Sequence, residues 1–215
     1  MARASKPLRR QPGSRQERQT YLICSEGKNT ETLYFKGLRR ELRASNVRIV
    51  VTSGQGEPYG VVEKAIAEVE RATASGNDYD RVFCVIDVEA PPTHTHARLD
   101  AALRLAARHG IICVVSNPCF ELYLLLHYQD VSAYLTTEEA GRLLEKHPCG
   151  YRRRGKLLNF EALQPGRAEA HRRAARLDRS HAGQPVPARN PWTSVPDLVT
   201  ELESAAARHP QRPHA

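Results

Sequence analysis

The chain has 215 residues, enough for one domain with a core of ordinary size. It carries 32 Lys and Arg against 24 Asp and Glu, a formal net charge of +8, with arginine concentrated in "RRQPGSRQER", "YRRRGK" and "HRRAARLDR". That balance suits a polyanionic partner, nucleic acid first, or simply a solvated arginine-rich surface, and no apolar run nears the roughly 18 residues a membrane span needs.

Residues 1–19 have no apolar h-region, so they read as a disordered basic arm and not as a secretory signal. Tyr21–Cys24 reads as a short buried strand. The turn "GKNT" follows, with Asn29 or Thr30 placed to cap a helix from Glu31 to about Ala44. "NVRIVVT" (46–52) is a second strand, and residues 60–75 are an amphipathic helix closed by Gly76. "RVFCVID" (81–87) is continuously apolar and β-branched, as a strand covered on both faces must be. Ala97–His109 is a helix ended by Gly110, and "IICVVS" is a fourth strand. "NPCFELYLLLHY" opens another helix, with Asn117 near its cap and Pro118 in its first turn. After about residue 129 the strand signal fades. Residues 136–147, 159–178 and 193–207 read as helices, and 208–215 as a disordered tail. The alternation predicts an α/β fold: a mostly parallel four-stranded sheet over residues 20–129, flanked by helices, with a helical C-terminal part over 130–207.

Cys24, Cys84, Cys113, Cys119 and Cys149 form no CxxC pair, so a zinc site is not expected. Cysteines that close apolar runs read as small core residues in a protein of the reducing cytoplasm.

Four acids follow apolar runs: Glu26, Asp87, Glu89 and Glu121. In an open parallel sheet the carboxyl ends of the strands share one edge, where ligands bind. Like charges gathered there are costly unless a cation joins them. Alternation along an extended tip would put Asp87 and Glu89 on one side. Glu26, Asp87 and Glu89 are therefore expected to hold a hard divalent cation, Mg²⁺ or Mn²⁺, suited to phosphoryl transfer. Glu26 is also a candidate general acid or base. Lys28 is a candidate phosphate contact or a solvated turn lysine. Arg152, Arg153 and Arg154 suit a nucleic-acid backbone. Lys156 is a candidate stabiliser of developing phosphate charge. Asn117 reads as a helix cap or an orienter of water, His127 as a partly buried structural histidine, and Trp192 as a packing residue. The "HTH" at 94–96 is expected to be solvated.

The segments "YLICSEGKNTETLYFKGLRREL", "YDRVFCVIDVE", "VVSNPCFELYLLLHY" and "NPWTSVPDLVTEL" together resemble the RloB family, in order over roughly residues 20–205. The patterns are "CEGxxTE" and "SNPCFExWLLLHF"; here Ser25 stands between Cys24 and Glu26, and Tyr123 replaces the tryptophan. The resemblance implies a bacterial Toprim-like nuclease linked to restriction and phage-defence loci, with a Toprim-like (Rossmann-like) sheet. It implies Glu26 as the lone acid after the first strand and Asp87 as the first of an Asp-x-Asp pair. Glu89 replaces the second aspartate with a longer arm and altered reach. Glu121, in the NPxFE motif, is the candidate additional ligand, or a carboxylate favoured by a helix amino end. A Mg²⁺-dependent nuclease on DNA or RNA is thus expected. The alternative is a non-catalytic nucleotide- or nucleic-acid-binding module that docks an ATPase encoded nearby.

Overall fold

Short runs of β-branched and aromatic residues, apolar on both faces, build the central sheet of this computed structural model. It describes residues 19–25, 27, 29–44, 47–51, 57–92, 96–153 and 157–208. The strands are β1 (Tyr21–Ser25), β2 (Val47–Val51), β3 (Arg81–Asp87), β4 (Ile112–Asn117) and β5 (Trp192–Thr193). The helices are α1 (Thr30–Glu41), α2 (Pro58–Ala74), α3 (His96–Arg108), α4 (Phe120–Leu125), α5 (Thr137–Leu144), α6 (Arg167–Ser180) and α7 (Val195–Arg208). The sheet order is β2-β1-β3-β4-β5; the first four strands are parallel and β5 is antiparallel to β4. The chain adds β2 on one side of β1 and β3 on the other, so the topological switch point lies between β1 and β3.

Period-two alternation divides the core. Tyr21, Ile23, Phe83, Val85 and Val114 pack under α1, α4 and the C-terminal helices. Leu22, Cys24, Val82, Cys84, Ile86 and Val115 pack under α2 and α3. Val195, Leu198, Val199 and Leu202 of α7 belong to the first cluster, so the C-terminal helices share the core of the sheet. Cys24, Cys84 and Cys113 are register partners across β1, β3 and β4, a row of thiols on one face. Burial pushes all three above the ordinary thiol range, Cys24 and Cys113 to about 12, which suits packing and not reactivity. All five cysteines are free.

The α/β class with a mostly parallel sheet agrees with the sequence. The sheet has a fifth strand, however. Trp192–Thr193 is too short for a periodicity signal, yet it pairs Thr193 with Ser116 and Trp192 with Asn117. The helix expected over 193–207, started by Thr193 or Ser194, is α7 from Val195, whose amide donates to Thr193 Oγ1 at 3.2 Å, while Thr193 itself lies in β5. The helix expected from residue 159 begins at Arg167, after turns and one 3-10 turn at Gln164–Gly166. Asn29 and Thr30 do not cap α1 with their side chains. Asn117 belongs to β4, and the residue before α4 is Cys119, with no side-chain cap. The helix expected from residue 136 begins at Thr137, with Thr136 as its cap. Thr136 accepts from the Glu139 amide, and Glu139 accepts from the Thr136 amide, closing a capping box. The proposed arm 1–19 and tail 208–215 lie almost wholly outside the described residues. Among the described residues no helix is long and apolar enough to cross a membrane.

Candidate functional site at the carboxyl rim of the sheet

Parallel strands deliver their carboxyl ends to one edge, and β1, β3 and β4 do so side by side. Asp87 is the last residue of β3 and pairs in register with Ser116 of β4. Beyond it the tip of β3 is sewn to β4: the Val88 amide donates to the Ser116 carbonyl at 2.9 Å, and the Glu89 amide to the Pro118 carbonyl at 2.7 Å. Glu89 has φ 64°, in the left-handed region that non-glycine residues rarely occupy. The extended geometry therefore stops short of Glu89, and strand alternation does not govern the pair. Both acids are half-buried around a buried Val88. They serve different surroundings. The charge of Asp87 acts on the buried Cys119 thiol, whereas Glu89 lines a cleft with Thr136, Thr137 and Glu138.

Glu121 sits in the first turn of α4 and is 7 % exposed. Its Oε1 accepts from Thr30 Oγ1 at 3.1 Å and from the Tyr151 hydroxyl at 3.0 Å. The carboxylate is thus fixed from α1 on one side and from the segment before the arginines on the other. Cys119, fully enclosed, is pushed well above the ordinary thiol range, first by burial and then by the charges of Glu121 and Asp87. One small thiol therefore feels carboxylates from the ends of both β3 and β4. The Tyr151 phenol is pushed up by burial and then by Glu121, which keeps it a hydrogen-bond donor.

The loop between β1 and α1 is fixed on both flanks of position 26. The Gly27 carbonyl accepts from Ser25 Oγ at 3.4 Å and from Thr32 Oγ1 at 3.1 Å. Glu31, buried in the first turn of α1, lies so close over Gly27 that a Cβ there would meet Glu31 Oε2 at 1.8 Å. Glu26, Lys28, Arg154 and Lys156 lie outside the described residues, as does His94. Arg152 is exposed and donates to its neighbour's carbonyl, that of Tyr151, at 3.1 Å. Arg153 is bound to acids of the α5 segment: its backbone amide and Nε reach Glu145 at 2.8 and 3.1 Å, and Nη1 stands 3.7 Å from Glu138. Among the described residues, no group of three or more His, Cys, Asp or Glu side chains is arranged to hold a metal. Asp87 and Glu121, the described acids that follow β3 and β4, offer carboxylate oxygens, the hard-donor chemistry that Mg²⁺ and Mn²⁺ take.

Three other candidates are placed by their contacts. Asn117 donates to the Pro187 carbonyl at 3.2 Å and accepts from Asn190 Nδ2 at 3.0 Å, so it fastens the loop before β5 and caps no helix. His127 is 5 % exposed and donates from Nδ1 to the Tyr123 carbonyl at 3.0 Å, a structural histidine buried more completely than expected. Trp192 packs in the core, donates to Asp178 at 2.9 Å, and carries the Arg189 guanidinium over its ring.

The family model described as RloB-like protein matches residues 21–202. The chain belongs to the RloB-like family. No curated protein matches it. Segments that carry the RloB likeness have physical roles in the fold. The threonine and glutamate of "NTE" are Thr30, which holds Glu121, and Glu31, which packs on Gly27. The asparagine of "NPW" is Asn190, which ties Leu135 and Asn117 together. Thr30, Glu31, Tyr151 and Asn190 all escape a reading that searches for acids after strands. Thr30 and Asn190 are short polar residues beside apolar runs, whereas Glu31 and Tyr151 carry no local sign of their roles.

Proposed function

We propose that this RloB-like chain is a Mg²⁺- or Mn²⁺-dependent nuclease, a phosphodiesterase acting on DNA or RNA, of the bacterial cytoplasm and used in phage defence. The observation that carries the reading is that Asp87 closes β3 in register with Ser116 of β4 while Glu121 lies in the first turn of the helix that follows β4, which sets two carboxylates at one rim beside the β1–β3 switch point. Glu26, Asp87, Glu89 and Glu121 are the residues that would hold the cation. When bound, the cation would polarise a phosphoryl oxygen and favour a hydroxide nucleophile. Thr30 and Tyr151 hold Glu121 in a fixed pose. Glu26 would hold or release a proton, and Lys156 would offset negative charge on the phosphate. Lys28, Arg152, Arg153 and Arg154 would attract the nucleic-acid backbone.

The test is cleavage of mixed DNA and RNA substrates with Mg²⁺ or Mn²⁺, comparing wild type with Glu26→Gln and Asp87→Asn. Loss of cleavage in folded variants is expected. Equal cleavage by all three proteins removes these residues from the reaction. The engagement of Arg153 with Glu145 and Glu138 favours a second reading, a binding module that docks an ATPase partner, because it leaves fewer basic groups for substrate. Tight oligonucleotide binding with no turnover on long incubation supports that second reading.

A further inference from the structure

A cleft of about 430 Å³ opens between the segment leaving β3 and the amino end of α5, lined by Glu89, Ala90, Pro91, Thr136, Thr137 and Glu138. Its volume lies in the range of small-molecule sites, about 300–1,000 Å³, and far below what a duplex needs. The two walls are pinned together. The Thr137 amide donates to the Ala90 carbonyl at 2.9 Å, and the Ala90 amide donates to Thr137 Oγ1 at 3.0 Å. The cleft is therefore formed before any ligand arrives.

Its chemistry selects against phosphate and for a flat, donor-bearing group. Among the described residues, the lining includes two carboxylates and no cation. Ala90 and Pro91 give an apolar wall. Thr137 Oγ1 accepts from Ala90 and retains its own proton for an acceptor. Arg153 stands at the edge of the cleft, its Nη1 3.7 Å from Glu138 Oε1. Glu89 is only two residues beyond Asp87, so the cleft adjoins the acidic rim.

We infer that this cleft takes one unpaired nucleobase of a single-stranded nucleic acid, adjoining the phosphate held at the rim; the inference rests on the nuclease reading above. A base presents exocyclic amines to the carboxylates and a carbonyl or ring nitrogen to Thr137, and its faces pack on Ala90 and Pro91. A paired and stacked base cannot enter without leaving the helix. The phosphate on the far side of that base then falls toward Arg153.

The experiment measures binding of short single-stranded oligonucleotides, their duplexes, and strands carrying one abasic position moved stepwise along the sequence. It is done with Ca²⁺ in place of Mg²⁺ or Mn²⁺, so that the carboxylates keep a hard cation, and strand integrity is checked alongside binding. Glu138 is exposed and outside the rim, so Glu138→Gln folds as wild type does. The single strand is expected to bind about tenfold tighter than its duplex, and loss of one particular base to weaken it several-fold. Glu138→Gln should weaken the intact strand and leave the strand abasic at that position unchanged. Equal binding of intact and abasic strands, or of strand and duplex, overturns the inference. Wild-type base dependence in Glu138→Gln overturns it as well. Absence of cleavage by wild type with Mg²⁺ or Mn²⁺ would sink the nuclease reading while leaving this binding result in place, so the two failures are distinguishable.

Discussion

Tyr151 donates its phenolic hydrogen to Glu121 Oε1 at 3.0 Å, joining the residue just before the arginines to the buried acid of α4. Thr30 donates to the same oxygen from α1 at 3.1 Å. Three segments distant in sequence therefore meet on one atom. A buried carboxylate stripped of one of its donors loses part of what offsets its desolvation cost.

Tyr151→Phe is accordingly expected to destabilise the protein by about 1–3 kcal/mol, and Thr30→Val by a similar amount. Because both donors serve one oxygen, the double variant should depart from additivity. Urea unfolding of the four proteins reads the coupling. Strict additivity would mean that the two hydroxyls do not share Glu121 in solution.

Asn190 supplies a second test. Its Oδ1 accepts from the Leu135 amide at 2.9 Å, and its Nδ2 donates to the Leu135 carbonyl and to Asn117 Oδ1, both at 3.0 Å. Asn190→Ala leaves Leu135 without its partner and frees the loop before β5. A loss of about 2–4 kcal/mol is expected, read as a lower urea midpoint. Asn190→Asp keeps the acceptor for Leu135 and loses the donors, so it should lie between wild type and alanine.

His127 gives stability a pH dependence with a definite sign. Burial first, then the nearby Arg167 and His171 charges, holds its pKa at about 4 against the Tyr123 and Leu124 carbonyls, which pull it up. The unfolded chain titrates near 6.5. Between about pH 6.5 and 4 the unfolded state binds the proton and the folded state does not. The stability contributed by neutral His127 is therefore complete above 6.5 and lost as pH falls toward 4, at up to about 1.4 kcal/mol per pH unit. His127→Gln, whose amide can still donate to Tyr123, should flatten that slope. Unchanged slopes in wild type and variant would place the proton elsewhere.

The strand-helix alternation was legible because each element carries its own signal. Val82–Ile86 is apolar throughout, Gly76 and Gly110 close helices with φ 68° and 66°, and Thr136 opens α5 with its Glu139 partner. The places where the reading slipped are those decided by distant partners. Asn117 looks like a helix cap beside Pro118, but Asn190, 73 residues on, captures it. Thr30 looks like a cap for α1, but Glu121 captures it across 91 residues. Trp192–Thr193 becomes a strand only because β4 offers an edge. Asp87 and Glu89 read as a matched pair, yet the left-handed turn at Glu89 directs the second acid to the neighbouring cleft. Spacing locates the rim; packing decides which side chains face one another across it.

Gly27 offers the sharpest test at the rim itself. A Cβ at this position would lie 1.8 Å from Glu31 Oε2 and 2.3 Å from its Cδ, far inside contact distance. Glu31 is 6 % exposed, so its carboxylate has little room to swing away. Either Glu31 is driven from its place or the loop between Ser25 and Thr32 shifts, and both disturb the segment that carries Glu26. Gly27→Ala is therefore expected to cost about 1–3 kcal/mol, as overpacking does. The same change in a Glu31→Ala background should cost much less, because the clashing atoms are gone. Thermal unfolding of wild type, both single variants and the double closes this cycle. If Gly27→Ala is equally costly in both backgrounds, the contact between Gly27 and Glu31 is not what makes glycine necessary at the end of β1.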